Sequence, residues 1–385
     1  MSQELWGYRR NGGEFGIRNY VAIISAMDNS NPAARRIASI VRGTMPVCPT
    51  FGRASMGPDL EQHIRTLVNT GTNANVYGAV VVSLFRSSAE EIAQAISKTG
   101  RPVEAYAVEE DGGTANVANL GVRAALQMMG DAGRERREPM PWSDFILGVE
   151  CGGSDGSSGI VSNPVTGMVA DRVIDRGGTV IMSETVEVLG GEHLLAARAK
   201  DPATKQKIFD AVNFCVTYSK EVGVDLLGAN PAPDNIKGGL STIEEKALGA
   251  IKKGGSKPVM EVIGCGHRPT KKGFVFMDAP APGVENVTAL AAGGTHVIIF
   301  STGKGNPSGH PIVPTIKVSG NPFTAELLKD NLDVDLSAVI TKGMSLPDAA
   351  NILDRELIDV CWGKPTKADL LGEFEIAISR LCRTV

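Results

Sequence analysis

Four loops of this chain concentrate side chains able to move protons or hold charge: ECGGSDGSSG (150–159), SETVEVLGGEH (183–193), GANPAPDNIKGGLSTIEEKALG (228–249) and GCGHRPTKKG (264–273). A fifth, STGKGNPSGHP (301–311), resembles them in composition. Together they present Glu150, Cys151, Asp155, Glu184, Glu187, Glu244, Glu245, Lys246, Cys265, His267, Lys271, Lys272, Lys304 and His310. Such a mixture of acids, bases and soft ligands suits general acid–base catalysis, a divalent metal, or both. Cys151, and Cys265 with His267, offer soft ligands, and Glu184 and Glu244 harder oxygen ligands, for a transition metal such as iron(II). In the first loop, Gly152, Gly153 and Gly156 have no Cβ to keep an anion from their backbone N–H groups, and Ser154 and Asp155 can fix the turn.

Each group also has a structural reading. A cysteine at a strand end packs as a small hydrophobe more often than it binds a metal. Glu184 closes the apolar run TVIMSE and can cap the next helix or face water. STIEEK matches a capping box, with Ser241 or Thr242 as N-cap and Glu244 or Glu245 returning to it. Lys246 would then sit in the first turn, where a cation opposes the helix dipole, and that misfit argues for an anion partner. His267 with Arg268, Lys271 and Lys272 forms a basic cluster suited to a carboxylate or sulfonate, or simply a solvated loop.

Other chemistries lack their motifs. STGKG does not complete GxxxxGK[ST], no GxGxxG follows the first strand, and no GxSxG turns a strand into a helix.

The elements that must position these loops alternate. YVAIIS-type strands at 19–26, 76–84 and 102–110 are separated by helical stretches at 31–41, 57–69, 87–100 and 114–130. Parallel strands need crossovers of this kind, so the pattern predicts a three-layer α/β domain over 1–130. The polar stretch 131–144 predicts a linker. Strands FILGVE, GTVIMSE, PVMEVIG, GFVFMDA, THVIIFST and TIKVSG, with helices at 193–222, 241–253 and 345–358, predict a larger α/β catalytic domain over 145–385. The fold class is therefore α/β, as two three-layer domains with largely parallel sheets, and the polar loops fall at the carboxyl ends of strands, where such sheets build sites.

A net charge of −4 and scattered basic residues argue against nucleic acid and anionic membranes as partners. No apolar run reaches the ~20 residues that span a bilayer, and the N-terminus lacks a leader-like apolar core, which predicts a cytoplasmic protein. Six singly spaced cysteines argue against a disulfide frame.

GYRRNGGEFGIRNYV (7–21), ECGGSDGSSGIVSNPVTG (150–167), GGTVIMSETVEVLGGEHLL (177–195), NPAPDNIKGGLSTIEEKALG (230–249) and GFVFMDAPAPGVENVTALAAGG (273–294) come in the order and spacing of the altronate/galactarate dehydratase family, which the chain resembles along nearly its whole length. The branch it resembles most is the two-subunit sulfolactate sulfo-lyase, where it corresponds to the large (beta) subunit. The resemblance implies β-elimination of water or sulfite from a small 2-hydroxy acid, with a divalent metal, iron(II) in known members, stabilising the enediolate. It implies Glu184, Glu244, Lys246 and His267 as catalytic groups and Cys151, Glu184 and Glu244 as metal ligands. Gly152, Gly153, Ser154, Asp155 and Lys272 would bind substrate. A small domain that the family carries ahead of the GYxR segment would come from a separate small subunit, giving a homo- or hetero-oligomer. Cys265–Gly266 stands where a tyrosine is expected, and MDAPAPGVEN where MDTPGYD is common. These losses motivate an alternative, a non-catalytic binding or scaffolding homologue.

Overall fold

The computed structural model describes residues 4–226 and 230–382, so Gly228 and Ala229 of the third loop lie outside the described residues. Near the N-terminus, β1 (Leu5–Arg9) and β2 (Phe15–Gly16) pair antiparallel. Uninterrupted valine and isoleucine then build β3 (Tyr20–Ser25), β4 (Thr44–Val47), β5 (Val76–Ser83) and β6 (Val103–Ala107), a wholly parallel sheet of order β4-β3-β5-β6. Period-two alternation sends Val21 and Ile23 of β3 to helices 31–40 and 113–132, and Ala22 and Ile24 to helices 57–71 and 86–97. Both faces are therefore covered, as parallel sheets require.

The stretch expected to be a linker has structure of its own. β7 (Arg137–Met140) pairs antiparallel with β1, and Arg137 donates to the carbonyls of Ile17 (3.0 Å) and Cys361 (2.9 Å).

A seven-stranded parallel sheet follows, built from β8 (Ile146–Cys151), β9 (Thr179–Met182), β10 (Val259–Gly264), β11 (Gly273–Asp278), β12 (Val297–Ser301), β13 (Thr315–Ser319) and β14 (Val334–Asp335). Its order is β10-β11-β9-β8-β12-β13-β14. Leu147, Val149, Val180 and Met182 face helices 163–175 and 346–361. Ile181, Val275, Met277 and Ile298 face helix 283–292 and join one apolar cluster with Leu67, Ile92 and Ile24 of the first sheet's layer. The two sheets thus share a core. The α/β class and parallel sheets agree with the expectation.

Helices 163–175 and 283–292 were not anticipated, because their glycine- and proline-rich starts read as loop, and neither were the short helices 233–237, 322–327, 338–342 and 367–371. The helical stretch 193–222 is two helices, 192–197 and 202–221. Asp201 ends the break by accepting from Thr204 N–H (2.7 Å), with Pro202 next as the first helical residue.

Candidate active site

β8 and β9 are neighbours, so the residues closing them meet at the carboxyl edge of the sheet. Glu150, Cys151 and Glu184 all lie there and all are buried. Lys253 reaches the same point from the turn after helix 243–251. Its ammonium lies 2.6 Å from Glu184 Oε2 and 3.0 Å from Cys151 Sγ, and the Cys151 N–H donates to Glu184 Oε2 at 3.0 Å. Among the described residues neither oxygen of Glu150 has a hydrogen-bond partner.

Burial disfavours charge here, and the cluster's ionisation follows. Burial, then repulsion from Glu184, holds Glu150 well above the ordinary carboxyl range and so favours its neutral form. Burial also raises Glu184, which attraction to Lys253 only partly reverses, leaving it at about 7. Burial works against the Lys253 ammonium, but its partners, the 2.6 Å ion pair with Glu184 among them, outweigh it and hold the group above the ordinary lysine range. Burial pushes the Cys151 thiol up, so sulfur is a neutral neighbour.

Glu184 also carries backbone strain. Its φ of 70° and ψ of 68° are left-handed, a conformation that costs a non-glycine residue about 1–3 kcal/mol and is concentrated at functional sites. The conformation begins the tight turn 185–188, which carries Glu187, itself buried. Glu187 Oε1 accepts from Lys246 Nζ at 2.8 Å, Lys246 also bonds Asn230 Oδ1, and Glu187 Oε2 has no partner among the described residues. The misfit of Lys246 in a first helical turn is thereby explained: it is a buried cation with a carboxylate partner. The capping expectation resolves too. Thr242 Oγ1 accepts from Glu245 N–H (3.1 Å), and Glu245 returns to Ser241 N–H (2.8 Å).

A cleft of about 250 Å³ opens beside this group, with Lys246, Ser154 and Asp155 in its wall. Asp155 Oδ1 accepts from Ser157 Oγ (2.6 Å) and Ser158 N–H (3.1 Å), and its Oδ2 from Asn321 Nδ2 (2.6 Å). Gly153 has φ +61° and its carbonyl accepts from Lys304 N–H (2.8 Å). The Gly152 N–H donates to Ser301 O and the Gly156 N–H to Gly238 O, so these two amides are engaged within the protein.

Other expected residues lie elsewhere. Glu244 is exposed beside Gly190. His267 is exposed in a loop fastened to helix 57–71, where Asn69 donates to Gly266 O (2.8 Å) and Arg65 to Cys265 O (3.3 Å). Lys272 precedes β11 and so stands at the amino edge of the sheet, in a separate cleft of about 480 Å³ shared with Thr179 at the start of β9. That places it a strand length, on the order of 13 Å, from Glu184.

The residues expected to hold iron(II) do not fit one. Cys151 and Glu184 are adjacent (3.8 Å), but Lys253 already contacts both, and Glu244 is on the surface. Among the described residues no three His, Cys, Asp or Glu converge as ligands.

Family models give this architecture its relatives. Residues 142–384 match D-galactarate/Altronate dehydratase, C-terminal, and residues 7–133 match D-galactarate dehydratase/Altronate hydrolase, second domain. The chain belongs to this dehydratase family. It is 37% identical to the (2R)-sulfolactate sulfo-lyase subunit beta of Chromohalobacter salexigens, across 97% of each chain. It is 32% identical to the altronate dehydratase of Escherichia coli, over 98% of this chain and 77% of that one. With the galactarate dehydratase (L-threo-forming) of the same organism it shares 31% identity over 78% of this chain and 59% of that one. These relatives are lyases and dehydratases. No helix among the described residues is long and apolar enough to cross a membrane.

Lys253 was missed by sequence reasoning in this family member, because lysines at a helix C-terminus read as solvated partners of the dipole. Its placement depends on Gly167 in helix 163–175, where an added Cβ would stand 2.0 Å from Lys252 O. Gly167→Ala is expected to destabilise the fold by about 1–3 kcal/mol, the range for overpacking, and to lower activity as Lys253 is displaced. Urea denaturation checks the first effect and turnover the second.

Proposed function

We propose that this chain is the catalytic subunit of a lyase that eliminates water or sulfite from a small 2-hydroxy acid, sulfonated or sugar-derived, yielding a 2-oxo acid. The observation that carries the reading is Glu184, a carboxylate poised near pH 7 in strained backbone at the carboxyl edge of the sheet, ion-paired to Lys253. A general base works best with its pKa near the working pH.

The proton α to a carboxylate is very weakly acidic, so removing it also demands a cation near the charge that develops. In this reading Lys246, at the cleft wall, receives the substrate carboxylate. Glu187, bonded to Lys246, with Oε2 unpartnered among the described residues and close enough to Glu184 for their charges to interact, relays the α-proton to Glu184, the base. The C–H electron pair becomes the new C=C bond, and the leaving group departs from the neighbouring carbon with its own bonding pair. In dehydration the base returns the abstracted proton to the departing hydroxide, which leaves as water, whereas sulfite leaves as the anion. The enol then tautomerises to the 2-oxo acid.

The name of the Chromohalobacter relative, subunit beta, supports a companion subunit for this chain as well. The test is turnover of (2R)-sulfolactate, altronate and galactarate by the chain with a companion subunit and iron(II) supplied. Release of sulfite or of a 2-oxo acid from one of them is expected, and no product from any overturns the reading. Lys246→Met is expected to raise KM about 10- to 100-fold with a smaller change in kcat, the pattern of lost ground-state binding.

The complete burial of Glu184 and Lys253 favours a second reading, in which the pair serves stability alone in a non-catalytic homologue. Glu184→Gln separates the two, since a structural pair changes melting without changing turnover.

A further inference from the structure

On the cleft wall and on segments bonded to it the chain leaves large apolar side chains in water. Phe323 is 84% exposed and Leu327 81%, one turn apart on helix 322–327, and Ile160, Ile236 and Leu248 are 65%, 55% and 48% exposed. Hydrogen bonds tie their segments to the glycine loop. Asn321, which caps the Phe323 helix, donates to Asp155 Oδ2 (2.6 Å), and Asn235, next to Ile236, donates to Ser154 O (2.9 Å). Ile160 and Leu248 stand in the cleft wall itself. Isolated exposed hydrophobes are ordinary, but several on a cleft wall and on the segments fastened to it mark an interaction surface.

Building on the proposed lyase and its companion subunit, we infer that this surface is where the companion docks, closing the cleft over Lys246. The area fits. Five such side chains expose on the order of 100 Å² each, about 500 Å² in all. A standard interface takes roughly 800 Å² from each partner, somewhat over half of it apolar. A partner seated here would exclude water from the cleft and strengthen the attraction between Lys246 and a substrate anion. The occupant is therefore a second, different polypeptide whose docking face is apolar at its centre.

The probe is the separately purified companion of the Chromohalobacter sulfolactate sulfo-lyase subunit beta, titrated into the full chain and followed by sedimentation velocity. The wild-type chain is expected to form a stoichiometric complex. Phe323→Ser with Leu327→Ser should weaken it at least 30-fold, while Leu126→Ser, an exposed site on helix 113–132, leaves it unchanged. Melting curves of the free variants confirm that they fold. In the wild-type complex, hydrogen exchange should slow over 156–161, 236–240 and 320–328. Equal binding by the double variant, exchange protection elsewhere, or no complex at all overturns the assignment. So does self-association of the chain that the double variant abolishes, which would make the face a contact between copies. A complex that forms at this face yet turns over no hydroxy acid overturns the reaction and leaves the docking site standing.

Discussion

Glu184→Gln is expected to lower kcat by about 10²- to 10⁴-fold, the usual contribution of a positioned general base, while the protein stays folded. The variant keeps the side-chain volume. It also removes the repulsion from Glu184, the smaller of the two main causes that raise Glu150, while burial, the larger, remains. The pH profile supplies the stronger test. In the wild type the base must be ionised, so activity should climb as pH passes through about 7 and reach a plateau above it. At pH 5.5 it should lie about 30-fold below that plateau, because one pKa unit is a tenfold change in ionised fraction. The apparent pKa belongs to the Glu150–Glu184 pair together. Stability runs the other way. The unfolded chain ionises Glu184 near the ordinary 4.5 and the folded chain near 7, so its contribution is full below 4.5, declines as pH rises to about 7, and is flat beyond. Urea denaturation from pH 4 to 8 should show that slope in the wild type and a smaller one in Glu184→Gln. Unchanged turnover in the variant would make the pair structural.

Lys253→Met should have the largest effect on stability. Lys253 is the cation among Glu150, Glu184 and Cys151, and it is wholly buried. Removing one member of a buried pair leaves an uncompensated charge and costs about 3–5 kcal/mol. Without the ammonium both carboxyls must stay protonated, so the deficit should be smaller at pH 5 than at pH 8. Adding Glu184→Gln to Lys253→Met should recover most of the loss, since the double variant has no stranded charge at that pair, and a double-mutant cycle measures the coupling. Equal melting of Lys253→Met and wild type at pH 8 would mean that the buried pair contributes nothing to the fold.

By itself the sequence determined the sheets and the edge on which the chemistry sits. Runs such as YVAIIS and VYGAVVVS are too apolar for a half-exposed strand, and the helices between them force parallel pairing. Since Glu150, Cys151 and Glu184 close two strands of that kind, their position at the carboxyl edge was legible, and so was the loop of Gly152, Gly153, Ser154 and Asp155. The antiparallel pairing of 137–140 with 5–8 was not, because its partners are distant in the chain and its residues polar.

Only the tertiary structure decided which charges meet. Lys253 has the local pattern of a solvent-facing cation, and becomes buried because helix 163–175, with Gly167 at the contact, packs against its turn. Glu244 and Lys246 are two residues apart on one helix, so they point in different directions: Lys246 turns inward to Glu187 while Glu244 faces water. Loop 265–272 shares the composition of the site loops, yet it carries the chain from the carboxyl end of β10 back to the amino end of β11. It therefore delivers His267 to a loop against helix 57–71 and Lys272 to the opposite edge of the sheet, because composition does not encode the direction in which a connection runs.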